Sequence, residues 1–299
     1  MWMPPNWQSN KTDLRPPQRV GEHRRIGPAT PPDDKQLAMA SRIEETLLDL
    51  TLAGDVAQMR TLLMGSEEPP SESIIQNLLV AGVKGTHLGV VELLLDRHPS
   101  VPLNEEIVRG AVNTGSIPVF KILLARDPSI INMPFDKRGS PLIVACMGRQ
   151  TVEYLKFLLE AGADPNQDPD AATYPLALVA ALYSDIDAID LLLQNGARLE
   201  HSGALAAAAR LGNEPMTRRL LDRGARLEND GYSLGARTTP LHVAVESGRL
   251  EVVKILLQNG ADSTAINASG ATAFDVARQM ETKGKDMSQM LEILGEDDS

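Results

Sequence analysis

The amino-acid sequence predicts an all-α fold: a solenoid of stacked helix-turn-helix repeats with short hairpin loops, preceded by a disordered tail. Three observations carry this reading. Apolar residues recur at helical spacing in short paired runs, such as Leu241, Ala244 and Val245 followed by Val252, Val253, Leu256 and Leu257. The pairs are periodic. From Val108 through Leu142, Leu176, Leu205, Leu241 and Phe274 the steps are 34, 34, 29, 36 and 33 residues, and a fixed period of roughly 20–50 residues is the mark of repeat architectures. Finally, 42% of residues are hydrophobic but only 3% aromatic, which suits close-packed Leu- and Ala-rich helices better than a β-sandwich.

Residues 1–36 are a different material. Seven prolines from Pro4 to Pro32 lie among polar and charged residues with no hydrophobic period, the composition of a disordered tail. The tail is mildly basic and holds Trp2, Trp7, the Arg24-Arg25 pair, a P-x-x-P spacing at Pro28–Pro31 and Thr30 before Pro31. Each has a functional reading as groove anchor, import signal, polyproline ligand or phosphosite. Each also arises readily in a proline-rich tail.

Order is expected from about Leu37, with the array spanning 37–294 and an acidic end at 295–299. Eight repeats fall at about 41–68, 72–101, 102–133, 137–169, 171–200, 201–231, 237–268 and 270–294. The first, with Leu47, Leu50, Gly54, Met59, Leu62 and Leu63, keeps the spacing but not the opening turn, as suits an array end. The second and third close on His98-Pro99-Ser100 and Asp127-Pro128-Ser129, parallel tripeptides that themselves argue for repetition. In the fourth, Ser140 is placed to cap the helix at Pro141. In the fifth, Tyr174 takes that place and cannot cap in the same way. The sixth holds Leu205, Ala208, Gly212 and Leu220-Leu221. An enlarged loop, Arg226 to Thr238, precedes the seventh. The eighth opens with Thr272 and Asp275 at capping-box spacing, and its second helix, carrying Met287, Met290, Leu291 and Leu294, reads as a C-terminal cap.

The seventh repeat is the most regular. Thr239 is a natural N-cap, and Pro240 fits the first helical position, where its missing N–H costs nothing. Gly248 and Gly260 suit the left-handed turns that end the two helices. The string Thr239-Pro240-Leu241-His242-Val243-Ala244, then Gly248, Val252-Val253, Leu256-Leu257 and Gly260-Ala261-Asp262, closely resembles the ankyrin repeat. The resemblance covers about residues 37–294, most closely from 102 onward. It implies a structural hydrogen bond between His242 and Thr239, and partner proteins docked on a concave face of inner helices and loop tips. It also aligns Asn166 with a hairpin asparagine that some ankyrin proteins carry hydroxylated, although Pro165 replaces the usual preceding valine.

Little here points to catalysis. His23, His87, His98 and His201 show no metal-ligand spacing. Cys146 has no basic cluster beside it and reads as a small buried hydrophobe. Adjacent glutamates such as Glu105-Glu106 diverge on a helix rather than converge. No phosphate-binding loop or hydrolase motif is present. Arg218-Arg219 reads as a solvated helix face, and Met280, Met287 and Met290 as core filling. No catalytic, metal or cofactor site is therefore expected, and the protein is expected not to be an enzyme.

A net charge of −11 disfavours nucleic acid and anionic membranes. The longest uncharged run, Ala171 to Ser184, is too short to span a bilayer and contains Pro175. With one cysteine and no secretory pattern, the chain is expected to be intracellular, in cytoplasm or nucleus, and monomeric alone.

The expected function is a non-enzymatic protein–protein interaction module or adaptor. The alternative is a dedicated inhibitor, regulator or assembly chaperone of one enzyme complex or transcription factor, which would use the same surface. By repeat position that surface holds Lys137, Arg138, Tyr183, Ser184, Arg210, Tyr232, Arg237, Glu246 and Ser247. Arg138, Tyr183 and Arg210 are the residue types in which interface energy concentrates. Thr239, Pro240, Leu241, His242, Gly248 and Gly260 are framework.

Overall fold

A computed structural model describes residues 34–65, 69–136, 139–167, 173–228 and 238–296. Residues 43–299 form one compact unit. Of residues 1–42, the described part is the opening of the first helix. The expected tail motifs lie outside the described residues.

Among the described residues there are sixteen α-helices, a 3-10 turn at Pro128–Asn132 and no β-sheet. They come in pairs: α1 (Asp34–Ala53) with α2 (Val56–Gly65), α3 (Glu72–Lys84) with α4 (Leu88–Arg97), α5 (Glu105–Thr114) with α6 (Ile117–Arg126), and α7 (Pro141–Met147) with α8 (Val152–Glu160). The series continues with α9 (Pro175–Leu182) and α10 (Asp187–Gln194), α11 (Ala204–Leu211) and α12 (Glu214–Asp222), α13 (Pro240–Glu246) and α14 (Leu250–Gln258), and α15 (Ala273–Thr282) and α16 (Ser288–Glu296). From α3 to α15 the first helices pack on one another in sequence order as an inner row. The second helices make the outer row, with α6 meeting α8 through edge-on packing of Phe120 with Tyr154 and Phe157.

Stacking explains the burial. Burying one large apolar side chain is worth about 1.5–3 kcal/mol, and a lone hairpin can cover only one side of its few apolar residues. Helix α13 touches α11, α14 and α15, so every residue from Pro240 to Val245 is buried. In α14, Val252, Val253 and Leu256 are buried as their spacing requires. Ile255 is buried as well, whereas Leu257 is only partly covered. At the array's start Leu47 and Met59 are buried but Leu48, Leu52 and Met64 remain exposed.

Local signals set the helix ends. Thr239 accepts from the backbone N–H of His242, and Thr272 and Asp275 complete a reciprocal capping box. Gly248 takes φ +69°. Its N–H donates to the Val245 carbonyl while Arg249 N–H reaches the Ala244 carbonyl, the paired bonds that close a Schellman ending.

One local expectation needs correction. Ser140 stands at the N-cap of α7, yet its hydroxyl makes no capping bond and is buried without a partner. The seventh repeat braces its cap with the His242 ring, and the fourth has Ile143 in that place, which offers no polar atom. The parallel tripeptides each close a second helix, as expected, and differ only beyond it. Asp127 accepts from Ser129 and starts the 3-10 turn, whereas only a simple turn follows His98.

Candidate protein-interaction surface

The inner helices end in turns that are tied across repeats. An α-helix leaves its last carbonyls without partners. Here a polar side chain from the following repeat supplies the donor. Gln150 Nε2 donates to the carbonyls of Val112 and Asn113 at 3.1 and 3.0 Å. Asn213 Nδ2 donates to those of Ala180 and Tyr183 at 3.1 and 2.8 Å. Arg249 Nε reaches the Arg210 carbonyl, and Lys285 Nζ that of Glu246. The hairpin loops are tied in a similar way. Asn132 donates to Gly162 O and accepts from Asp164 N, and Asn166 repeats this with Gly196 O and Arg198 N. Both ends of the Asn166 amide therefore hold the next loop.

With these backbone groups satisfied, the residues at the turns are free to face outward. Ser184, Arg210 and Glu246 follow or end α9, α11 and α13 and are exposed; Ser247 is half-buried. Lys137, Arg138, Tyr232 and Arg237 lie outside the described residues. Tyr183 departs from expectation. Only 8% of it is exposed, and its hydroxyl donates to the Gln150 carbonyl at 2.9 Å. Burial raises its pKa. Its position in the repeat is where a turn residue reaches back over the preceding repeat, so the ring fills the interface between repeats instead of facing solvent.

The Arg218-Arg219 pair divides. Arg218 is solvated. Arg219 instead forms a two-point ion pair with Asp190 of α10, and Arg223 Nη2 joins it at 2.7 Å. The Arg219 hydrogen bond is the first cause that holds the Asp190 carboxyl below its ordinary pKa. Sequence reading missed this triad. A usable signal existed, since Asp190 precedes Arg219 by 29 residues, the same step as Leu176 to Leu205.

Of the other residues singled out, Cys146, His242 and the methionines of the last hairpin are packed into the framework, whereas His201 is exposed. Cys146 is fully buried, which raises its thiol pKa. His242 is buried and its pKa is lowered by desolvation, opposed by its bond to the Ala271 carbonyl. Met280, Met287 and Met290 are buried in the last hairpin.

An open groove of about 770 Å³ lies beside these turns. Its lining includes Arg149, Leu182, Ser184, Leu211, Glu214 and Arg218. It is shallow and open to solvent, with no convergence of acid, base and nucleophile. Among the described residues no helix is long and apolar enough to cross a membrane. The arrangement presents exposed side chains on a row of hydrogen-bonded turns.

Comparison with known proteins agrees with the fold. The ankyrin repeat family model matches residues 139–169, and a model of three ankyrin repeats matches residues 176–267. Human SH3 and multiple ankyrin repeat domains protein 2 is 30% identical over 166 residues, covering 42% of this chain and 9% of that protein. Ankyrin repeat and KH domain-containing protein mask-1 of Caenorhabditis elegans is 28% identical over 213 residues, covering 66% and 8%. E3 ubiquitin-protein ligase XB3 of Oryza sativa subsp. japonica is 30% identical over 184 residues, covering 53% and 38%. The chain thus spans well under half the length of each of these relatives.

Proposed function

We propose, from the premise that this chain is an ankyrin-repeat protein, that it acts as a non-enzymatic interaction module and binds a partner protein along its inner-helix row. Ankyrin repeats are in general protein–protein interaction modules. One observation carries the reading for this chain. Ser184, Arg210 and Glu246 stand exposed at successive turns, and none of their side chains is needed to hold the stack, because the carbonyls there are satisfied by Asn213, Arg249 and Lys285. A surface that is rigid, repeated and released from scaffold duty can vary to fit a partner. The ligase activity in the name of the rice relative belongs to that protein, of which this chain matches 38%.

The test is affinity capture from the native cell with the wild-type chain and with the double variant Arg210→Glu, Glu246→Lys. A partner held on the inner row is captured by the wild type and lost by the variant at unchanged helix content. Equal capture by both would rule out this face as the binding surface.

A further inference from the structure

The groove beside the inner-helix turns carries a more specific reading, which rests on the interaction function above. We propose that it is a docking site for a short acidic peptide segment with apolar anchors. Its floor is built from the ends of α9 and α11 and the start of α12: Leu182, Leu211 and Pro215. Leu211, which ends α11, is 46% exposed, and Met147, which ends α7 two inner helices earlier, is 51% exposed. A large apolar side chain left open on the groove floor is an anchor site for the apolar residues of a partner.

The rim gives the charge. Arg149 and Arg218 both line the groove and are exposed. Neither forms an ion pair among the described residues. Arg249 lies across Gly212 of the same groove, its Cδ 2.9 Å from where a Cβ would stand. Arg210 is exposed beside Leu211. Against these the lining holds, among the described residues, one carboxylate, Glu214, which is half-buried, with Asp185 following Ser184 at the edge.

A chain of net charge −11 thus exposes several guanidinium groups around one apolar floor. Distant acidic residues do not cancel them, because charges separated by more than about 10 Å are largely screened at 0.1 M salt. Guanidinium forks pair with carboxylates at two points, so Asp or Glu flanking the anchors would meet Arg149 and Arg218 favourably. A basic segment would meet like charge. The groove is too open to enclose a small molecule, but it can accommodate one face of a peptide.

The test selects a random peptide display library against the full chain. Peptides that combine apolar residues with Asp or Glu are expected. They should bind the double variant Arg149→Glu, Arg218→Glu at least about tenfold more weakly, and added salt should weaken wild-type binding. Leu211→Ser should weaken it too. Both arginines are exposed and form no ion pair among the described residues, so helix content by circular dichroism should match wild type in the double variant. The proposal is overturned if selection yields no binder, yields peptides without net negative charge, or yields peptides that bind the double variant equally well. Peptides that tolerate the Arg149 and Arg218 reversals but are lost on Glu246→Lys would leave the interaction function standing and remove the acidic groove.

Discussion

His242 of one repeat donates from its imidazole Nε2 to the carbonyl oxygen of Ala271 in the next, at 3.0 Å. A carbonyl can only accept, so the proton sits on Nε2 and Nδ1 is the acceptor. Nδ1 lies 2.9 Å from the Thr239 hydroxyl and also receives the Thr239 backbone N–H. One neutral ring therefore braces a helix cap and staples two repeats together.

This arrangement predicts a pH dependence of stability. Burial holds the folded pKa of His242 below its ordinary value of 6.5. The unfolded chain therefore takes up the proton first, so the contribution is complete above pH 6.5 and declines as pH falls through that value toward the folded pKa. His98 is lowered as well, mainly by desolvation, and acts in the same direction. Urea unfolding at pH 7.5 and pH 5.5 should show the loss, and His242→Ala should shrink the difference while leaving the His98 part. At pH 7.5 the variant should be less stable by about 1–3 kcal/mol, because the Ala271 carbonyl loses its donor.

Core and surface should respond very differently. Leu256 is fully buried in α14, and Leu256→Ala should cost about 2–5 kcal/mol. Arg210 is exposed, and Arg210→Ala should shift stability by no more than about 0.5 kcal/mol. Denaturant midpoints of the two variants, read at constant m-value, check both.

The Asp190 triad should couple α10 to α12. Asp190→Ala should cost about 1–2 kcal/mol, at the modest end for a paired carboxylate, since the arginines are partly solvated and screened. A double-mutant cycle with Arg219→Ala should return a favourable coupling that weakens in high salt. The pair's contribution should be lost as pH falls below the unfolded aspartate value of 3.8, because the folded pKa is lowered.

Tyr183→Phe separates scaffold from surface. Removing the hydroxyl leaves the Gln150 carbonyl without this donor and should cost about 1 kcal/mol. Because the ring is buried, partner capture at unchanged folding should equal that of wild type. A selective loss of capture in Tyr183→Phe would show that this hydroxyl reaches the partner.

The residue pattern by itself determined the repeated hairpins, their stripes and the caps at Thr239 and Thr272. Each of these follows from spacing along one short segment: a helix turns by a fixed angle per residue, and a cap acts within three residues. The inward turn of Tyr183, the pairing of Asp190 with Arg219, the unbonded Ser140 hydroxyl and the groove between Arg149 and Arg218 were decided only by tertiary structure. They depend on what a side chain meets about thirty residues away, and that is set by how neighbouring repeats stack. Tyr183 follows α9 in extended backbone, so helical spacing does not aim its ring. The Gln150 carbonyl and the space between repeats make its position an interior one.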